Sequence, residues 1–256
     1  MASLIITSCI APGKNVPFLT VSNLNERRTE YEDTIKWAIE SSPFTNIVYV
    51  DNSGFNLEIF YDYIPAAQKA NKKLEFLSFS ETDDSVSCGK GYGEGRIIEY
   101  ALFNSKLILE DEEQYFFKIT GRLKISNITE IMKNIHLDKI FIMNNYPLYD
   151  MLDTRFYGMP VSVYKKYFLN GYKAVNDNQL RYLEKIFYDI CQENKLKYEC
   201  FRRYPEYLGR SGSTGKDYKE NPNQKFFDFL CKTKLFNKRL IYKRLLNLKS
   251  WGWIKF

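Results

Sequence analysis

Residues 118–127 read Lys-Ile-Thr-Gly-Arg-Leu-Lys-Ile-Ser-Asn and follow the apolar aromatic run Tyr115-Phe116-Phe117. A strand ending in Thr120-Gly121-Arg122 offers a ligand three things. The strand fixes the backbone, the glycine allows close approach, and the arginine presents a planar cationic fork. Lys90, Lys118 and Arg155 are further cations that, with Arg122, could face a pyrophosphate.

Gly89-Lys-Gly-Tyr-Gly-Glu-Gly95 packs four glycines into seven residues ahead of a helical run. Backbone amides there could cradle a phosphate with help from the helix N-terminus. The segment is neither a Walker A loop, which needs Gly-Lys-Ser/Thr, nor a Rossmann fingerprint, which follows the first strand. A flexible loop is the alternative reading. Ser211-Gly-Ser-Thr-Gly-Lys216, flanked by Arg210 and Tyr218, could be a second phosphate nest, a mobile lid or a linker.

Asp51, Asp83, Asp84, Glu94, Asp153 and Glu184 are acids near expected loop positions. Displacing a leaving group with a hydroxyl requires a base within hydrogen-bond reach of that hydroxyl. Asp153, in the turn-like Asp153-Thr-Arg-Phe-Tyr-Gly158, and Glu184, in a helical run, are the two candidates. A solvated helix position is the alternative for Glu184, and Glu110-Asp-Glu-Glu113 reads as a solvated charge run. The single histidine, His136, reads as surface or packing, so a zinc site or a His-based triad is not expected.

These residues need a scaffold. Apolar runs at 4–10, 47–50, 74–79, 115–119 and 139–143 read as strands, and the runs at 28–41, 56–70, 94–105 and 128–135 as helices. Pro65 implies a kink or break in the second helix. The alternation argues for an α/β fold with a mostly parallel sheet flanked by helices. In such sheets ligands sit beyond the carboxyl ends of the strands. That rule selects Thr7-Ser8, Asp51-Asn52-Ser53, the Ser80–Gly95 loop and Thr120-Gly121-Arg122. Beyond residue 150 the pattern is less regular. Residues 160–167 suggest a strand and short helix, 179–193 a strong helix with Leu180, Leu183, Phe187 and Ile190 on one face, and 204–217 a loop.

With 256 residues the chain can bury one sizeable core. Its aromatic content of 16% fits a genome rich in Tyr and Phe codons, with sugar or base stacking as a lesser contribution. The five cysteines form no Cys-x-x-Cys pair and point to a reducing compartment. There is no signal-like N-terminus and no run long enough to span a bilayer, so a cytoplasmic protein is expected. Of 37 Lys/Arg and 31 Asp/Glu, residues 225–256 carry nine and one, which leaves 28 and 30 for the body. A nearly neutral body argues against nucleic-acid binding. The basic, aromatic tail has the composition of an interfacial amphipathic helix on anionic lipid, or of a helix docked on the body with a basic outer face. The expected division is a catalytic domain at 1–224 and a C-terminal extension at 225–256.

Taken together, the segments resemble bacterial GT-A-type glycosyltransferases of O-antigen and capsule biosynthesis, over roughly residues 4 to 220. Ile47-Val-Tyr-Val-Asp-Asn-Ser-Gly54 is similar to the second strand of that fold, where an Asp contacts the nucleoside. Lys90-Gly-Tyr-Gly-Glu94 is similar to the segment one strand before the metal motif. The resemblance implies a GT-A-like fold and transfer of a sugar from a nucleotide-sugar donor to a glycan or lipid-linked acceptor. Thr7, Asp51 and Ser53 would lie near the nucleoside. Lys90, Gly91, Lys118, Thr120, Gly121 and Arg155 would contact donor with Arg122, and Asp153 or Glu184 would be the base. The tail would hold the protein at the inner face of the membrane. Thr120-Gly-Arg122 stands where Asp-x-Asp normally binds a divalent metal such as Mg or Mn. No metal ligand is therefore assigned, and Arg122 and Lys118 would neutralise the leaving diphosphate. A nucleotidyltransferase and a non-catalytic glycan- or membrane-binding module are the alternatives.

Overall fold

The computed structural model describes residues 2–13, 20–21, 23–81, 88–111, 113–145, 150–211, 214–218 and 224–233. Four parallel strands form one half of the main sheet: β1 (Ser3–Ser8), β2 (Asn46–Asp51), β3 (Lys73–Ser78) and β4 (Tyr115–Thr120). The other half holds β6 (Ile140–Asn144), β7 (Leu152–Pro160) and β8 (Tyr198–Glu199), and the order across the sheet is β3-β2-β1-β4-β7-β6-β8. β7 runs antiparallel to β4 and β6. The fold is thus α/β with a mostly parallel sheet, as the alternation predicts.

Alternate side chains on each strand enter opposite cores. Leu4, Ile6, Ile47, Tyr49, Phe117 and Ile119 face one, together with helices α1 (Leu24–Glu40) and α2 (Tyr63–Lys69). Ile5, Val48, Val50 and Phe116 face the other, with α3 (Lys90–Asn104). Both faces are covered, which explains strands that are continuous apolar runs. Truncating a fully buried Phe in either core costs about 3–5 kcal/mol.

Several elements depart from the sequence pattern. α1 begins at Leu24 because the Asn23 side chain caps it, accepting from the amides of Asn25 and Glu26. The second helical run splits into a 3-10 turn at Leu57–Phe60 and α2, with Pro65 tolerated in the first turn of α2. α3 starts four residues early, at Lys90. Gly91, Gly93 and Gly95 lie inside its first turns, where a Cβ would come within 2.9 Å of Leu183, 2.9 Å of Asn52 and 2.1 Å of Tyr172. These glycines serve packing rather than an open loop. Asp153–Gly158 belongs to β7 and is no turn, because β4 and β6 pair it on both sides.

The short strand β5 (Leu123–Ile125) leaves the main sheet and pairs with β9 (Tyr207–Arg210), which pairs with β10 (Asp217–Tyr218). Much of the expected 204–217 loop is therefore a hairpin. Helix α4 (Lys106–Leu109) follows α3 directly, and α5 (Ile128–Met132) ends earlier than its pattern. After β7 come α6 (Val161–Val163), a π turn at Tyr164–Phe168 and then α7 (Leu183–Glu193). Leu180 precedes α7 with a positive φ of 58° and is 68% exposed, so it does not share the face of Leu183 and Phe187. Asp111 is buried and accepts from the Ser3 hydroxyl at 2.9 Å, so the 110–113 run is not wholly solvated. His136 is exposed.

Helix α8 (Gln224–Lys232) opens the basic extension. Its Phe227, Leu230 and Cys231 are buried in the same core as β1 and β4, and Asp228 pairs with Arg203 at 2.7 Å. The rest of the extension, 234–256, lies outside the described residues. Among those described, no helix is long and apolar enough to cross a membrane.

Candidate active site

Parallel strands β1, β2 and β4 end side by side at Ser8, Asp51 and Thr120. β1 is where the strand order reverses, between β2 and β4, and a crevice forms at such a point. A pocket of about 290 Å³ lies there. Thr7, Ser53, Lys90, Thr120 and Arg122 line it, as the strand-end rule predicts. Asn52, Ser80 and Glu81, which fall in the selected strand-end segments, line it too, as do Cys9, Arg27 and Tyr31, which the sequence did not single out.

Arg122 is buried and its Nη1 meets Glu30 Oε2 at 3.1 Å. Gly121, just before it, donates its amide to the Thr7 carbonyl at 2.9 Å, and a Cβ there would come 2.3 Å from that oxygen. The neighbour that Gly121 admits is the β1 backbone. The chain turns tightly against β1, and Arg122 lines the pocket within reach of Glu30 on α1.

Lys90 enters from the start of α3. Burial, then the nearby Arg122 charge, lowers its pKa to about 8. Its amide donates to Asp177 Oδ2 at 2.9 Å. The helix N-terminus is thus met by a protein carboxylate, whose pKa burial raises. Gly89, at φ 113°, is required there because a Cβ would strike that carboxylate. The pocket lining includes the cations Arg122, Lys90 and Arg27.

Glu94 also lines the pocket, whereas Asp51, Gly91 and Lys118 support it without lining it. Asp51 is fully buried. Its Oδ2 accepts from Ser8 Oγ and the Ile10 amide, each at 2.8 Å, and its Oδ1 from the Ser53 amide at 2.8 Å and Ser53 Oγ at 2.5 Å. It ties the β1 and β2 loops into one wall. Gly91 packs on Leu183. Lys118 is fully buried, pairs with Glu94 Oε2 at 2.6 Å and donates to Thr120 Oγ1 and the Thr154 carbonyl at 2.9 and 2.7 Å. Its pKa is lowered by burial against the pull of Glu94. The charge of Lys118 is answered inside the protein, so it does not face the pocket as a free cation. Cys9 has its thiol pKa pushed up to about 12 by burial and then Asp51, which makes it a poor nucleophile.

Because β7 is antiparallel, its first residues lie at the same sheet edge. There the two candidate bases differ. Asp153 is buried and bound by its own neighbour: Arg155 Nη2 to Oδ2 at 2.6 Å, Arg155 Nε to Oδ1 at 2.9 Å. Tyr207 and Tyr218 flank the Arg155 guanidinium at 4.2 and 5.2 Å. Glu184 instead accepts from Thr154 Oγ1 at 3.1 Å, and burial, with Glu94 adding to it, raises its pKa to about 7. A carboxylate with that pKa suits proton transfer near neutral pH. Among the described residues no group of three or more His, Cys, Asp or Glu could hold a metal ion. Asp83 and Asp84 lie outside them.

No protein-family model and no curated protein matches the chain. Solved structures resemble it. The glycosyltransferase GlyE of Streptococcus pneumoniae aligns with a TM-score of 0.49 and 7% identity over 78% of this chain, which spans 46% of the GlyE chain. Mouse xyloside xylosyltransferase 1 gives 0.40 and 11% over 78% of this chain and 84% of its own. A cytidylyltransferase from Leptospira borgpetersenii gives 0.42 and 12% over 78% and 75%. None of these three reaches 0.5, and the functional reading rests on the residues of the pocket.

Proposed function

We propose that this chain is a glycosyltransferase that moves a sugar from a nucleotide-sugar donor to a hydroxyl of a glycan or lipid-linked acceptor in surface-polysaccharide synthesis. The observation that carries the reading is the pocket at the strand reversal, where Arg122 and Lys90 converge on one volume walled by Thr7, Asn52 and Ser53. Two cations suit a diphosphate. Polar groups at the ends of β1 and β2 suit a nucleoside. The resemblance of the sequence motifs, in their order, to GT-A transferases supplies the sugar-transfer chemistry.

In this reading Arg122 and Lys90 stabilise negative charge as it develops on the leaving diphosphate. Lys118 acts behind them by holding Glu94 and Thr120. Glu184 takes the proton of the acceptor hydroxyl. Asp153 and Arg155 brace the floor. Two protein cations in the diphosphate position make turnover in EDTA the expected result, and strict Mn²⁺ or Mg²⁺ dependence would oppose it.

A thermal-shift screen against nucleoside diphosphates and their sugars tests the reading, since a ligand of the native state raises apparent stability. One nucleotide series should raise the melting temperature, and its sugar should be consumed only with an acceptor. No shift with any nucleotide would overturn the proposal. Pyrophosphate release from a nucleoside triphosphate and a sugar 1-phosphate would replace it with nucleotidyl transfer. For the extension, truncation after Thr233 keeps the packed α8 and should abolish binding to anionic vesicles; retained binding would remove the membrane role.

A further inference from the structure

Arg122 and Arg210 share one counter-ion. Glu30 on α1 meets Arg122 Nη1 through Oε2 at 3.1 Å and Arg210 Nε through Oε1 at 3.4 Å. Arg210 ends β9 and also meets Asp217 of β10 and Glu26 of α1, each at 3.5 Å. The two arginines are joined by backbone as well. Leu123 pairs with Gly209 across β5 and β9, and Gly209, at φ 117°, lies so close that a Cβ would come 2.2 Å from the Arg122 carbonyl. Arg122 is 7% exposed and Glu30 19%, so their attraction is only partly screened by water.

We infer that Glu30 is a positioning residue that holds Arg122 at the pocket and passes the pocket's occupancy to the β9–β10 hairpin; this rests on the diphosphate reading. A diphosphate takes up the Arg122 guanidinium and competes with Glu30 for it. Glu30, relieved of Arg122, is left to Arg210, and β9 is drawn more firmly onto α1. The same carboxylate therefore lowers anion affinity in exchange for a hairpin that responds to ligand.

The test measures inorganic pyrophosphate affinity by calorimetry, and hydrogen exchange at residues 207–210 with and without it, in wild type, Glu30→Gln and Glu26→Gln. Wild type should show slower exchange in β9 on binding. Glu30→Gln should bind pyrophosphate roughly five-fold more tightly, the low end of measured couplings, and lose the β9 response. Glu26→Gln removes an equal charge from the same helix but, among the described residues, pairs with Arg210 and not with Arg122, so affinity and response should stay as in wild type. Unchanged or weaker affinity in Glu30→Gln, a retained β9 response, or the same gain in Glu26→Gln would overturn the inference. Wild type that binds pyrophosphate with no β9 response sinks the inference alone. Wild type that binds neither pyrophosphate nor any nucleoside diphosphate sinks the pocket reading and takes the inference with it.

Discussion

Two arginines at the same sheet edge meet their carboxylates in opposite ways. Arg155 is gripped in a two-pronged contact by Asp153, two residues away, and is flanked by Tyr207 and Tyr218. Arg122 touches one oxygen of Glu30, a residue on another element that it shares with Arg210. The first pair is closed on itself and holds the fold. Among the described residues the second engages one guanidinium nitrogen of Arg122, which lines the pocket. An arginine's availability to ligand is set by how completely its counter-ion answers it.

The largest difference should appear in turnover. Glu184→Gln removes the proposed base while keeping shape, and turnover should fall ~10²–10⁴-fold with nucleotide affinity intact. Single-turnover and binding measurements separate the two. An equal fall in affinity would make Glu184 structural. Asp153→Asn sharpens the contrast, because it should lower the melting temperature more than it lowers turnover in the surviving fold.

Arg155→Met should be next, acting on stability. It leaves the buried Asp153 carboxylate without its partner, a loss of about 3–5 kcal/mol by denaturant titration. A variant as stable as wild type would end the distinction between the two arginines.

How much of this contrast the sequence reveals depends on the distance over which it is built. The strands were legible because both faces are buried, so each reads as an apolar run. Thr7, Ser53 and Arg122 were legible because strand ends at one edge converge. The early start of α3 at Lys90 was not legible because Gly91 and Gly95 answer to Leu183 and Tyr172, roughly ninety and eighty residues on, and no local pattern carries that. Asp153-Thr-Arg looks like a turn because its polar side chains satisfy one another inside a buried strand. Glu30 was invisible as a site residue, since only the fold brings it to Arg122, 92 positions away.

The smallest effect is one of pH. The Lys90 pKa lies at about 8 and below its ordinary value, so the charged form is lost as pH rises through that point. Diphosphate affinity should weaken above about pH 8, and Lys90→Arg should flatten the profile because arginine stays charged. With Glu184 losing its proton near 7 as pH rises, turnover should peak between the two values. For stability the sign is also fixed: a lysine whose folded pKa is lowered favours the fold at high pH, and that contribution is lost as pH falls towards 8.

The central claim is that Arg122 is the donor's anion contact and Arg155 is not. Titration calorimetry of a nucleoside diphosphate that shifts the wild-type melting temperature, into wild type, Arg122→Met and Arg155→Met below their melting temperatures, tests it directly. The account predicts that Arg122→Met weakens binding by ~10–100-fold, the worth of a charge-assisted hydrogen bond, while folded Arg155→Met binds as wild type does. Equal affinity in wild type and Arg122→Met, or loss confined to Arg155→Met, would contradict it.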